Sequence, residues 1–212
     1  MQIRNAVLYL VLFLFTKASL GLDLTKLIKV NNENNPNCIS YYQYKGSLYC
    51  STSSSQPHKP NPNILDYERQ QIVFDNRAWV AAWAKNTGQM ITVEYVPEGQ
   101  NINDWQELIT SQFAEGLQKK VSPLQFCETI VLALEQSGFK PKITFFEKTN
   151  DRIIFEFQIH APEHFQQDEL QMITRGQKGI YILHYVIKQT DMGEANRKLW
   201  LSNFKATTPK EI

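Results

Sequence analysis

The stretch from residue 142 to residue 189 constrains the fold more than any other part of the chain. It holds KITFFEK and RIIFEFQIH separated by Thr149-Asn150-Asp151, then ELQMITR and IYILHYVIKQ separated by Gly176-Gln177-Lys178-Gly179. Aromatic and β-branched runs bounded by polar or glycine-rich breaks read as strands. Two hairpins are expected, residues 142–148 with 152–160 and residues 169–175 with 180–189. Apolar groups fall on both faces of these strands, which places them centrally in a sheet. The last strand shows no polar alternation until His184, so His184 is expected buried and neutral with one hydrogen-bond partner.

The preceding elements fit the same sheet. Residues 72–74 form a short strand candidate. In AWVAAWAK, period two puts Trp79, Ala81 and Trp83 on one face; Asn86-Thr87-Gly88 then turns the chain into QMITVEYVPEG, whose Ile91, Val93 and Tyr95 alternate with Thr92, Glu94 and Val96. Helix over residues 77–85 is the rival reading, because of the alanines. Residues 106–114 read as a further strand.

Two helices complete the pattern. Ser122 caps the first, Pro123 takes its opening position and Gln125 the capping-box position; Phe126, Cys127, Ile130, Val131 and Leu134 share its apolar face, and Gly138 ends it. The second opens at Asp191 as cap with Glu194 in its first turn, and packs through Met192, Ala195, Leu199, Trp200 and Phe204. So few helices between strands exclude a doubly wound parallel sheet. The expected class is α+β, a predominantly antiparallel β-sheet flanked by helices.

The N-terminus bears on destination. Residues 1–21, MQIRNAVLYLVLFLFTKASLG, pair a basic start at Arg4 with an apolar run over residues 6–15. That run is short of the roughly 20 residues of a lone membrane anchor but suits a secretory signal. Cleavage is expected after Ala18 or Gly21, with a retained anchor as the competing reading; a secreted or periplasmic protein without an integral membrane segment follows. Cleavage removes Arg4 and Lys17, so the formal charge falls by two, from +1 to −1. Such a chain has no net field for nucleic acid.

Residues 22–63 are expected to form an N-terminal segment and linker, and residues 64–212 the main domain. Cys38 and Cys50 bracket NCISYYQYKGSLYC, and an oxidising compartment makes them a disulfide pair closing a small hairpin that turns at Lys45-Gly46-Ser47. Residues 24–28 suggest a short helix before it. STSSSQPHKPNPN, residues 51–63, is too polar to repay ordering through burial and reads as linker.

Candidate chemistry is sparse. His160, Glu163 and His164, with Asp168 and Glu169 behind them, are the best metal-like grouping, but Pro162 interrupts the interval between the imidazoles. Asp66/Glu68 and Asp168/Glu169 are carboxylate pairs of acid–base type whose plain reading is solvated loop residues. Cys127 with His184 would make a thiol–imidazole pair, yet an apolar helical cysteine reads as a buried small hydrophobe. No catalytic residue and no cofactor is assigned. Tyr41, Tyr42, Tyr44 and Tyr49 crowd a constrained segment, and Trp105 follows a polar loop; amphipathic aromatics of this kind suit recognition of a protein or glycan.

With EYVPEGQNINDWQELIT, ELQMITRGQKGIYILHYVIK and the terminal helix carrying Trp200, the order of elements resembles the Mog1/PsbP-like α/β sandwich of exported bacterial proteins, over roughly residues 72–205. The leader, cysteine segment and proline-rich stretch also resemble proteins exported by Gram-negative pathogens such as Legionella, with a virulence association. The resemblance implies a noncatalytic accessory or binding protein, a monomer with an unspecified partner, and assigns no residue roles. A secreted hydrolase with a His/Asp/Glu site, zinc-dependent or not, is the alternative.

Overall fold

A computed structural model describes residues 28–31, 40–44, 47–51 and 64–210. The leader, Cys38, the Lys45-Gly46 turn and most of the polar linker lie outside the described residues. The chain divides into two compact units, the smaller ending at Lys59 and the larger running from Pro60 to the C-terminus.

The described part of the smaller unit is a three-stranded antiparallel sheet of order β1-β3-β2, from β1 (Ile28–Val30), β2 (Ser40–Tyr44) and β3 (Ser47–Ser51). The expected hairpin forms, pairing Tyr41 with Cys50 and Tyr42 with Tyr49. β1 is an addition: Ile28 pairs with Cys50, so at residue 28 the expected helix gives way to a strand that occupies the second side of β3. Cys50 is fully buried.

The larger unit is built on a seven-stranded sheet. Its strands are β5 (Trp79–Asn86), β6 (Ile91–Pro97), β7 (Glu107–Glu115), β8 (Lys142–Lys148), β9 (Arg152–Ile159), β10 (Gln167–Arg175) and β11 (Gly179–Ile187). Their order is β5-β6-β7-β11-β10-β9-β8 and every pairing is antiparallel. Both expected hairpins are present. β10 and β11 are central, as their double-sided apolar character requires, but β8 is an edge strand rather than a central one. Its Phe145 remains 40% exposed, and a bulge between Phe145 and Glu147 breaks its alternation.

Helix α1 (Pro123–Gln136) starts with the full capping box: Ser122 Oγ accepts from the Gln125 amide, and Gln125 Oε1 accepts from the Ser122 amide. It lies against β9 and β10, burying Phe126, Cys127, Ile130 and Leu134. Helix α2 (Glu194–Ala206) covers the opposite face of the sheet, where Trp200 and Phe204 pack with Val93, Tyr95, Ile109, Ile154, Leu170, Met172, Leu183 and Tyr185. The class is therefore α+β, with a mostly antiparallel sheet and flanking helices. No helix among the described residues is long and apolar enough to cross a membrane.

Three local expectations change. Asp191 does not cap α2: Gly193, at φ +79°, precedes the helix, while Asp191 Oδ1 accepts from the Gly193 amide and from Arg197. Ala195 and Leu199 are exposed, Leu199 by 44%, and Arg197 and Asn203 turn toward the sheet in their place. Finally, the strand upstream of β5 is β4 (Gln70–Gln71), which pairs with β12 (Thr208–Pro209). Residues 72–74 leave it, because the Val73 amide donates to Thr207 Oγ1 while Ile72 and Phe74 pack into the α2-side core.

Candidate functional site

A β-strand sends successive side chains to opposite faces, so register alone assigns each residue to the α1 or the α2 face. On the α1 face, cross-strand partners align into one transverse row through all seven strands: Trp83, Glu94, Thr110, His184, Gln171, Phe155 and Phe145. Both ends of the row are aromatic and its middle is polar. Thr92 and Gln112 stand one step to one side, Glu169 one step to the other.

Trp83 joins this row because of a bulge between Ala81 and Trp83. The expected common face for Trp79, Ala81 and Trp83 is thus broken. Trp79 and Ala81 stay with the α2-side core, whereas Trp83 pairs with Glu94 on the other side.

His184 is buried, as expected, but holds two partners rather than one. Its Nδ1 lies 2.7 Å from Glu169 Oε1 and its Nε2 lies 3.1 Å from Gln112 Oε1. Gln167 and Gln171 donate to the same Glu169 carboxylate. Cys127 is on α1 and burial pushes its thiol up to about 12, which removes the thiolate a Cys–His mechanism requires. Two side-chain oxygens in the row have no hydrogen-bond partner: Thr110 Oγ1 and Gln171 Oε1. Glu94 is partly buried, and desolvation alone raises its carboxyl to about 7.

The α2 face carries acidic residues whose plain reading was solvated. Glu68 is buried: it accepts from the Tyr95 hydroxyl at 2.6 Å, from Ser111 Oγ at 2.7 Å and from the Gln70 amide at 2.7 Å. Its partner in sequence, Asp66, is exposed. Asp168 accepts from the Met192 amide, Gln158 and Arg197, and Arg197 also bridges Glu156 and Asp191. Burial pushes the Glu156 carboxyl up, against the pull of Arg197. Asp168 and Glu169 are both fully buried and, as adjacent strand residues, serve opposite faces. They are not a solvated pair, and alternation keeps them from sharing a reaction centre.

The remaining candidates disperse. His160, Glu163 and His164 are exposed, and the His164 ring packs 4.3 Å from that of Phe165. Among the described residues no group of three His, Cys, Asp or Glu side chains is placed to hold a metal ion. Trp105 is engaged within the fold: it packs on Val96, Leu108 and Val186, with the Lys188 ammonium 4.4 Å above its ring. Tyr41, Tyr42 and Tyr44 lie on β2 with their side chains outside the described residues, and Tyr49 is half-buried on β3.

Sequence reasoning named Glu68 but placed it in solvent, and it missed Glu94, Thr110, Gln112 and Arg197. The signal for Asp168 and Glu169 was present: adjacent acids entering a strand buried on both faces must both be buried. Nothing local marks Thr110, which gains meaning only from the register of β6, β7 and β11.

A protein-family model matches residues 68–211, so it spans the larger unit from Glu68 through α2 and β12. No curated protein matches the chain.

Proposed function

We propose that this chain, which belongs to the family whose model spans residues 68–211, is an exported binding or accessory protein rather than an enzyme. One observation carries the reading: His184, Cys127, Glu68, Asp168 and Glu169 are all enclosed in the interior of the larger unit. Both His184 nitrogens face internal acceptors, the Cys127 thiol is buried, and Glu68, Asp168 and Glu169 each accept several internal hydrogen bonds. A general base must reach a substrate proton, and these groups are enclosed within the fold. The antiparallel sheet between two helices supports kinship with the Mog1/PsbP-like sandwich. The apolar leader supports export to the periplasm or beyond, and with Cys127 free, Cys38 is the remaining partner for Cys50.

Fractionation with N-terminal sequencing tests the export half of the proposal. A mature terminus after Ala18 or Gly21 is expected; an intact leader on a cytosolic protein would overturn it. Chromogenic ester, peptide, glycoside and phosphoester substrates test the other half. Turnover abolished by His184→Gln, in a variant that still folds, would make the protein a hydrolase.

A further inference from the structure

The transverse row meets the β5 edge in three residues that the rest of the fold leaves unused. Glu94 on β6 lies directly between Trp83 on β5 and Thr110 on β7, all three on the α1 face. No side chain among the described residues forms a hydrogen bond or ion pair with the Glu94 carboxyl, and desolvation is the sole cause of its raised proton affinity. Thr110 Oγ1 is likewise without a partner although the residue is only 1% exposed. Trp83 is half-buried beside them.

Buried polar atoms in a folded protein are paired almost without exception, and an unpaired one calls for a ligand, an ion or a water. The chemistry of this trio is one-sided. A carboxylate supplies negative charge, a hydroxyl oxygen supplies an acceptor, and an indole face attracts cations. All three favour a positively charged N–H donor. A divalent metal is a poor match, since hard cations take six or more oxygens and only two such side chains converge here. Cross-strand neighbours stand about 5 Å apart, which limits the occupant to a compact head group. Charged or titratable groups that share this face include Lys85, paired with Thr92 one step along, Lys188 above the Trp105 ring, and the His184–Glu169 pair further in.

We propose that Trp83, Glu94 and Thr110 form a binding site for the primary ammonium group of a small organic amine. Glu94 pairs with the charge, Thr110 Oγ1 accepts one N–H, and the Trp83 ring flanks the aliphatic carbon that bears the nitrogen. This rests on the binding-protein reading and gives it a ligand class.

Titration of the purified protein at pH 8 with n-butylammonium, against neutral n-butanol, tests the site by calorimetry and tryptophan fluorescence. Saturable binding of the amine is expected, with at least about tenfold weaker binding of the alcohol, the loss that follows from removing one charged hydrogen-bonded contact. Glu94→Gln is expected to weaken the amine about tenfold and Thr110→Val about threefold, each with an unchanged circular dichroism spectrum. Trp83→Leu should weaken the amine and abolish the fluorescence response. No saturable binding by folded protein, equal binding of n-butanol, or full affinity in Glu94→Gln would each overturn the site. Mass spectrometry of the recovered amine separates the two readings. Unaltered amine supports both, whereas a converted product would end the noncatalytic reading and leave the site standing. Absence of binding ends the site and leaves that reading intact.

Discussion

The two faces of the seven-stranded sheet hold their carboxylates in different ways. On the α2 face, Tyr95, Ser111 and Gln70 donate to Glu68, and Gln158, Met192 and Arg197 donate to Asp168 Oδ2, while Asp168 Oδ1 has no partner among the described residues. On the α1 face a network closes around Glu169, Gln112 and His184, and toward β5 it stops, leaving the Glu94 carboxyl and Thr110 Oγ1 without partners among the described residues. Most buried polar atoms are spent on cohesion, and a few on each face, Asp168 Oδ1 and Thr110 Oγ1 among them, have no partner among the described residues. Adjacent residues of one strand, Thr110 and Ser111, illustrate both policies, so burial by itself does not tell a structural polar group from an available one.

The largest effect expected from disturbing this contrast is at Arg197. Arg197→Ala would strand the Glu156 and Asp168 carboxylates in the interior, at a cost of about 3–5 kcal/mol. Thermal unfolding followed by circular dichroism should show the midpoint falling by about 10 °C; a fall of under 2 °C would mean that the network is better solvated than its geometry indicates. Glu94 should behave in the reverse sense. Its carboxyl is raised from the ordinary 4.5 to about 7, so its contribution is intact below pH 4.5 and is lost as the pH climbs through 7. Glu94→Gln is expected to stabilise the protein at pH 8 by about 2 kcal/mol, discounted for partial exposure, and to change little at pH 4. Equal effects at both pH values would contradict the assigned proton affinity.

A smaller and sharper pair of substitutions sits side by side on β7. Ser111→Ala should destabilise by about 1–2 kcal/mol, because it takes a donor from Glu68 and an acceptor from Gln70. Thr110→Val exchanges an unpartnered hydroxyl for a methyl group of the same shape and should be neutral, or stabilising by up to about 1 kcal/mol. Chemical denaturation that finds the two equally costly would erase the distinction between the faces. Smallest in energetic reach is a count: denatured, nonreduced protein should present one titratable thiol, from Cys127, and three would dissolve the proposed Cys38–Cys50 pair.

Much of the fold was legible because its signals are local. The hairpins of residues 142–189 show themselves through composition and turns, and α1 through a capping box that needs only four consecutive residues. Central position was legible for β10 and β11 but not for β8. KITFFEK has strand propensity enough for any location, and which strand ends at a sheet edge is decided by partners far away in sequence. The Trp83 bulge was hidden for the same reason, since one extra residue reverses a face without altering composition. Glu68 lay beyond reach because its burial depends on three donors, of which Tyr95 and Ser111 come from two other strands. The candidate site was the least legible feature, being defined by what its atoms lack.

Bulges interrupt both outermost strands, between Ala81 and Trp83 on β5 and between Phe145 and Glu147 on β8. In this sheet each open margin is out of step with a regular ladder, which disfavours a second copy continuing the weave along it. For a chain this rich in aromatic ribbons, such irregular hems guard against fibrous stacking.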